Sequence, residues 1–470
     1  MRRLAVAMIV MIGIIGGAEL MLGMAVSDKS HRGQVLSLFI TAAVADDDDD
    51  DLFDDDPDDR AAVGDDISLD DESADDLPEE VADNRDDDDE LWADDFEPVL
   101  AAADDSVDAQ GLALDHQGYI VRTAEILAIN AEETALELIE ALGFAVLRQQ
   151  NLDALNIRLT VIETPVGTSV REAIERLRQH DPAALYEFNH LYAAMRVDET
   201  SNLTPGQPGF PVHSAINTEI GLIDTAVDVA HQALRNSRVI SQRFVDDKRL
   251  PMVHGTSIAS LLVGESNDFQ GLLPGAQLYS AAVFTQYSEG QVSASADSLA
   301  AALNWLVKEE VAVINMSLAG PPNALLEMAV GKSLGLGHMI VAAVGNDGPA
   351  APPLYPAAYP GVVAVTAVDA KQRIYRRANR GDYVDFSAAG VNVRAADQGN
   401  SMSLFSGTSY AVPVVSAILA RRLLAADTVQ QQALLAQLRQ QAADIGVAGR
   451  DSVFGYGLLS ELSDQQHGDE

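Results

Sequence analysis

Apolar and polar positions follow two different rhythms along this chain, and the change of rhythm divides it. Between Gly111 and Met195, short apolar runs alternate with amphipathic stretches. "AEILAIN" (124–130), "FAVLRQQ" (144–150), "NIRLTVIET" (156–164) and "ALYEFNHLY" (184–192) predict strands. "AEETALELIEALG" (131–143) repeats its apolar positions at helical spacing and stops at Gly143. "TSVREAIERLRQ" (168–179) predicts a second helix with Thr168 as its cap. Between Ala215 and Leu462 the runs are short and nearly unalternating, as in buried parallel strands: "EIGLID", "LYSAAVF", "VAVINMS", "MIVAAVG" and "VVAVTAV". Helical patterns lie between them, in "SADSLAAALNWLVKEE" and "NALLEMAVGKSLGLG".

The first pattern predicts a small α+β unit over 111–195, an antiparallel sheet with two helices on one face, similar to a ferredoxin-like plait. The second predicts an α/β domain over 215–462 with a doubly wound, mostly parallel sheet. Its functional residues should collect beyond the C-terminal ends of the strands. A Pro/Gly/Ser-rich stretch, 196–214, reads as an exposed linker, and 463–470 as a polar tail. At the start, Arg2 and Arg3 precede an apolar run from Leu4 to Gly17, too short for the roughly 20 residues of a membrane span. Small-residue cut sites follow at Gly23-Met24-Ala25 and Ala43-Val44-Ala45, so 1–45 reads as an export signal, with an uncleaved membrane anchor as the alternative. Export, to periplasm or exterior, is the expected location.

Composition changes this picture in one region. The 470 residues carry a formal charge of −42, and Asp46 to Glu97 holds 29 acidic residues against two arginines. Such a segment buries too little apolar surface to offset the entropy of ordering, so 46–110 is expected to be a disordered spacer. No Asp-x-Asp-x-Asp-Gly loop marks a calcium site, and structural calcium is left open. The charge argues against nucleic acid as a partner. The absence of cysteine excludes disulfides and thiolate metal sites.

"FSGTSYAVP" (405–413) brings in chemistry. An apolar helical stretch, Val412 to Leu424, follows, with Pro413 expected in its first turn, so Ser409 lies at a helix N-terminus. There a serine is either an N-cap or a nucleophile whose oxyanion the N–H groups would hold. A nucleophile needs a base, an orienting acid and a further oxyanion donor. Asp224 ends the strand "EIGLID", His254 stands at the start of the small-residue helix "HGTSIASLLVG", and Asn346 follows a strand in the Gly-flanked "VGNDG". Each singly has a structural explanation as a turn or cap residue; together they form a constellation.

With these residues in place, the chain resembles the subtilisin-like serine proteases (subtilases). The resemblance rests on "IDT" at Asp224, "HGTSIA" at His254, "NMSLAGP" from Asn315, "AAVGNDG" around Asn346 and "SGTSYAVP" around Ser409, in the order Asp, His, Ser. It covers roughly 215 to 462. It implies a serine endopeptidase acting on polypeptides, with Asp224, His254 and Ser409 as triad and Asn346 in the oxyanion hole. Ser317, Leu318, Ala319 and Gly320 would pair with substrate backbone. The α+β unit would be a prodomain that assists folding and inhibits the enzyme from within its own chain. No metal or cofactor is required, and a monomer is expected. Departures from the family pattern are Ala226 for Gly, Ser257 for a second His, Ala319 for Gly, and Leu354 at a position that lines the primary pocket, where it would shorten that pocket. Two other classes compete. In an α/β-hydrolase esterase, Asp427, Asp444, Asp451 and His467 would supply the partners of Ser409; the other alternative is an inactive exported binding or inhibitor protein.

Overall fold

The computed structural model describes residues 111–194, 198–200, 214–246, 250–288, 291–423 and 427–460. The expected export signal, the acidic spacer, most of the linker and the polar tail lie outside the described residues.

The first unit runs β1 (Ile120–Ile129), α1 (Glu133–Ala141), β2 (Ala145–Leu152), β3 (Ile157–Glu163), α2 (Val170–His180) and β4 (Leu185–Ala194). Its strands pair antiparallel in the order β4-β1-β3-β2. Alternation along each strand splits the side chains between two cores. Ile126, Ala128, Ile162 and Phe188 pack with Ile139, Ala173, Ile174 and Leu177 of the two helices. Leu127, Ile129, Leu159 and Val161 instead join the core of the α/β domain. Helix α2 is capped by Ser169, one residue beyond the expected Thr168. The reason is a capping box: Ser169 Oγ accepts from the Glu172 N–H while the Glu172 carboxylate accepts from the Ser169 N–H.

The α/β domain follows: β5 (Glu219–Asp224), β6 (Arg238–Arg243), α3 (Val253–Val263), β7 (Gln277–Ala282), β8 (Gln291–Ser295), α4 (Ala296–Lys308), β9 (Val313–Met316), β10 (Leu318–Ala319), α5 (Ala324–Gly335), β11 (Met339–Ala343), β12 (Val363–Val368), β13 (Phe386–Ala389), β14 (Val393–Ala396), β15 (Met402–Ser406), α6 (Thr408–Arg422) and α7 (Thr428–Gln441). Seven strands form a parallel sheet in the order β13-β12-β11-β9-β5-β7-β6. Every residue of β7, β11 and β12 is buried, which is why their sequences do not alternate. The winding reverses between β5 and β9, so a crevice opens beyond the C-terminal ends of those two strands. Asp224 ends the first, and Ser317 follows the second.

The two units meet through β4. Its last residues lie between two strand edges of the α/β domain: Ala194 and Ala193 pair antiparallel with Leu318 and Ala319, while Ala193, Tyr192 and Leu191 pair with Ser293, Ala294 and Ser295. Polar contacts flank the seam. Arg148 bonds Glu125 at 3.0 Å and also pairs with Asp297 at the start of α4, and Asn189 Nδ2 donates to Asp297 Oδ1 at 3.1 Å. Asn323 Nδ2 donates to His190 Nδ1 at 2.9 Å, which makes the other ring nitrogen the donor to Asp115 Oδ2 at 3.0 Å.

Candidate active site

Asp224 is delivered by β5 into full burial, with one carboxylate oxygen accepting from the Thr225 N–H at 2.6 Å. His254 is the second residue of α3, and its Nδ1 lies 2.8 and 3.0 Å from the two Asp224 oxygens. Gly255 makes this approach possible. A Cβ there would fall 2.4 Å from the Thr225 carbonyl oxygen, and the Gly255 N–H donates to Thr225 Oγ1 at 2.7 Å. Because Nδ1–H is directed at a carboxylate, Nε2 is the lone-pair end of the imidazole. Nε2 is buried and has no hydrogen-bond partner. The ring stands edge-on to Tyr410, the neighbour of Ser409, with centroids 5.9 Å apart.

Ser409 is the second residue of α6, which begins at Thr408, four residues before the apolar run. Pro413 is therefore the sixth helical residue rather than a first-turn one. A proline there removes the N–H that would bond the carbonyl four residues back, that of Ser409. The fold supplies a substitute: Ser317 Oγ donates to the Ser409 carbonyl at 3.0 Å, itself accepting from Asn315 Nδ2 at 2.9 Å. Ser416 Oγ completes the chain by donating to Asn315 Oδ1 at 3.1 Å. The Ser409 hydroxyl donates to the Ser317 carbonyl at 3.3 Å. Two bonds thus tie Ser409 to the residue that follows β9.

Asn346 follows β11 in a turn whose Gly345 has φ +115°. Its Oδ1 accepts from the Thr408 N–H at 3.1 Å and from Thr408 Oγ1 at 2.9 Å, which fixes the amide with Nδ2 as its donating end. Leu354 is buried against the same turn, since a Cβ on Gly345 would sit 2.7 Å from Leu354 Cδ1. Leu318 and Ala319 present a strand edge, paired with β4, whereas Gly320 exchanges both backbone bonds with Tyr355 at 2.9 Å. Ser257, in place of the family's histidine, is buried and lies 2.6 Å from the Ala396 carbonyl oxygen, so it ties α3 to β14. Asp427 caps α7 and Asp451 accepts N–H bonds within its own turn, so both carboxylates serve backbone. His467 lies outside the described residues.

Sequence reasoning did not single out Asn315, Thr408 or Tyr410 as parts of the site. Thr408 and Asn315 stand inside quoted motifs, but their partners are 62 and 101 residues away. Only the fold pairs them.

A model of the subtilase family matches residues 216–457. The minor extracellular protease Epr of Bacillus subtilis (strain 168) is 31% identical over 321 residues, covering 62% of this chain and 48% of its own, so the chain spans about half the length of that relative. The thermophilic serine proteinase of Bacillus sp. (strain AK1) is 30% identical over 353 residues, covering 71% of this chain and 84% of its own. Among solved structures, fervidolysin from Fervidobacterium pennivorans, a keratinolytic enzyme related to subtilisin, superposes with a TM-score of 0.60 at 20% identity. That match covers 75% of this chain and 62% of fervidolysin, and it shows a shared fold.

Proposed function

The chain belongs to the subtilase family, and on that footing we propose that it is an exported serine endopeptidase, made as a precursor that processes itself. The observation that carries the reading is the meeting of three separate elements. Asp224 on β5 bonds His254 on α3, and the imidazole packs against the ring of Tyr410, the residue after Ser409 at the start of α6. His254 Nε2 takes the Ser409 proton as Oγ attacks a peptide carbonyl, and Asp224 steadies the imidazolium. The Ser409 N–H and Asn346 Nδ2 hold the tetrahedral oxyanion. Collapse of this intermediate breaks the C–N bond, and His254 passes its proton to the leaving amine. Water, deprotonated by the same imidazole, then frees the acyl group.

Substrate backbone adds as a strand to the Leu318–Ala319 edge, the position β4 holds here, which supports a prodomain role for the α+β unit. Leu354, packed on Gly345, shortens the primary pocket and favours small or medium apolar side chains before the cut. Export fits the extracellular naming of one relative and the apolar N-terminal run. The test is hydrolysis of casein by wild-type, Ser409→Ala and His254→Ala chains with matched circular dichroism. Loss in both variants supports the reading, and retained proteolysis in Ser409→Ala overturns it.

A further inference from the structure

We propose that Asn379 is a positioning residue for the oxyanion donor, its buried amide clamping the turn that carries Asn346. This role rests on the endopeptidase reading above and deepens it. The turn is loose by sequence: Gly345 and Gly348 bracket Asn346 and Asp347, with φ of +115° and +103°. Glycines in that region of backbone space are the least restrained of residues, so the rigidity of the turn has to come from outside it. Asn379 lies in the connection between β12 and β13 and is fully buried. Its backbone N–H donates to the Gly345 carbonyl at 3.1 Å, and its Oδ1 accepts from the Asp347 N–H at 2.8 Å. Its Nδ2 donates to the Pro352 carbonyl at 3.1 Å. With a backbone donor at one end and a backbone acceptor at the other, the amide has a single orientation.

These bonds grip the two peptide groups on either side of Asn346. The Gly345 carbonyl belongs to the peptide before it, and the Asp347 N–H to the peptide after it. Both groups are planar, so φ and ψ of Asn346 are the only soft torsions between them. Holding both planes from one residue fixes both torsions, and with them the direction in which the Asn346 side chain leaves the backbone. The Thr408 bonds then set the Asn346 amide itself. The fit is close: a Cβ on Gly345 would fall 2.9 Å from Asn379 Cγ. The bond to Pro352 ties the same clamp to the segment that brings Leu354 onto Gly345. A donor aimed at an oxyanion is effective when it is held in place before charge develops. A turn left to its glycines would therefore lose turnover rather than substrate affinity.

The test is a double-mutant cycle on the full chain after activation, with kcat and KM measured on one fluorogenic peptide. The chains are wild type, Asn379→Ala, Asn346→Ala and the double variant Asn346→Ala/Asn379→Ala. Asn379→Ser, which keeps a polar group in the buried position but is too short to span both partners, stands in where alanine prevents folding. Rates are referred to the sites that a fluorophosphonate labels at completion, so unfolded molecules do not count, and that labelling reports the endopeptidase reading separately. We expect the Asn379 variants to lose about tenfold in kcat at nearly constant KM. In the Asn346→Ala background the same change should cost nothing further, because the group that Asn379 positions is gone. Unchanged kcat in the Asn379 variants would overturn the proposal. So would a second tenfold loss on top of Asn346→Ala, which would make Asn379 a support of the fold at large. Asn346→Ala with wild-type turnover would remove the oxyanion role of Asn346, and the clamp's purpose with it, while labelling of Ser409 still upheld the endopeptidase.

Discussion

At the scale of single residues, the site is built around a defect. Pro413 deprives the Ser409 carbonyl of its helical donor, and the Ser317 hydroxyl replaces it within the chain Ser416–Asn315–Ser317–Ser409. Ser317→Ala would leave both a carbonyl and an amide unpaired, costing about 1–3 kcal/mol of stability. Because it loosens the Ser409 backbone, turnover under the proposed function should fall about tenfold with little change in KM; unchanged kcat in steady-state kinetics would contradict this. Asn346→Ala should act on the transition state alone. The loss measured for such an amide donor in a subtilisin is about 10²–10³ in turnover, and the same is expected here at nearly constant KM. A raised KM with normal turnover would instead make Asn346 a ground-state contact. Asp224, His254, Asn346 and Ser409 could be singled out in the sequence because each sits in a short local motif. Thr408, which orients Asn346, and Ser317's bond to Ser409 were not, since both depend on pairs far apart in the chain.

At the scale of elements, the strands buried on both faces were legible from their unbroken apolar runs. The edge strand β6 was not: its sequence, Arg-Val-Ile-Ser-Gln-Arg, is mostly exposed and shows no apolar run. Nor were the short β13 and the hairpin β14–β15, whose pairing is set by tertiary packing rather than by pattern. The seam at β4 carries a pH dependence. Burial by itself raises the Asp297 carboxyl, yet the Arg148 charge and the Ser295 hydroxyl outweigh it and hold the group below its usual range. Asp115 is depressed as well, with burial opposed by bonds from His190, Tyr119 and Gln117, all inside the α+β unit, so its shift bears on that unit and the Asp297 shift on the seam. A carboxyl depressed in the assembled state binds fewer protons there than when separated. The seam is therefore stabilised above the ordinary carboxyl value of about 4 and weakens as pH falls through the depressed values. In an uncut Ser409→Ala chain, protection of the β4 amides relative to free-peptide exchange at each pH should fall below about pH 4, and Asp297→Asn should flatten that response. Protection unchanged from about pH 6 to pH 3 would remove the electrostatic account.

At the scale of the molecule, the α+β unit and the α/β domain share a core and a strand ladder. A seven-stranded parallel sheet closes only through long-range contacts, which makes unaided folding slow. The α+β unit pairs with β8 and β10, two strands of the domain outside that sheet, and on the prodomain reading proposed above it would steady the domain as its contacts form. It also pairs with the Leu318–Ala319 edge, and under the proposed function activity would require its removal. N-terminal sequencing of the activated enzyme should place the new N-terminus after a cut between about Tyr192 and His213, one that the Ser409→Ala chain does not make. A fully active, stable form that keeps residues 111–195 attached would refute the prodomain role. The central claim, that Ser409 is a nucleophile activated by His254 and Asp224, is tested most directly by reacting the chain with a fluorophosphonate and locating the adduct by peptide mass mapping. The account predicts a single adduct on Ser409 that disappears in His254→Ala. An active protein without that adduct, or one that labels equally well without His254, would contradict it.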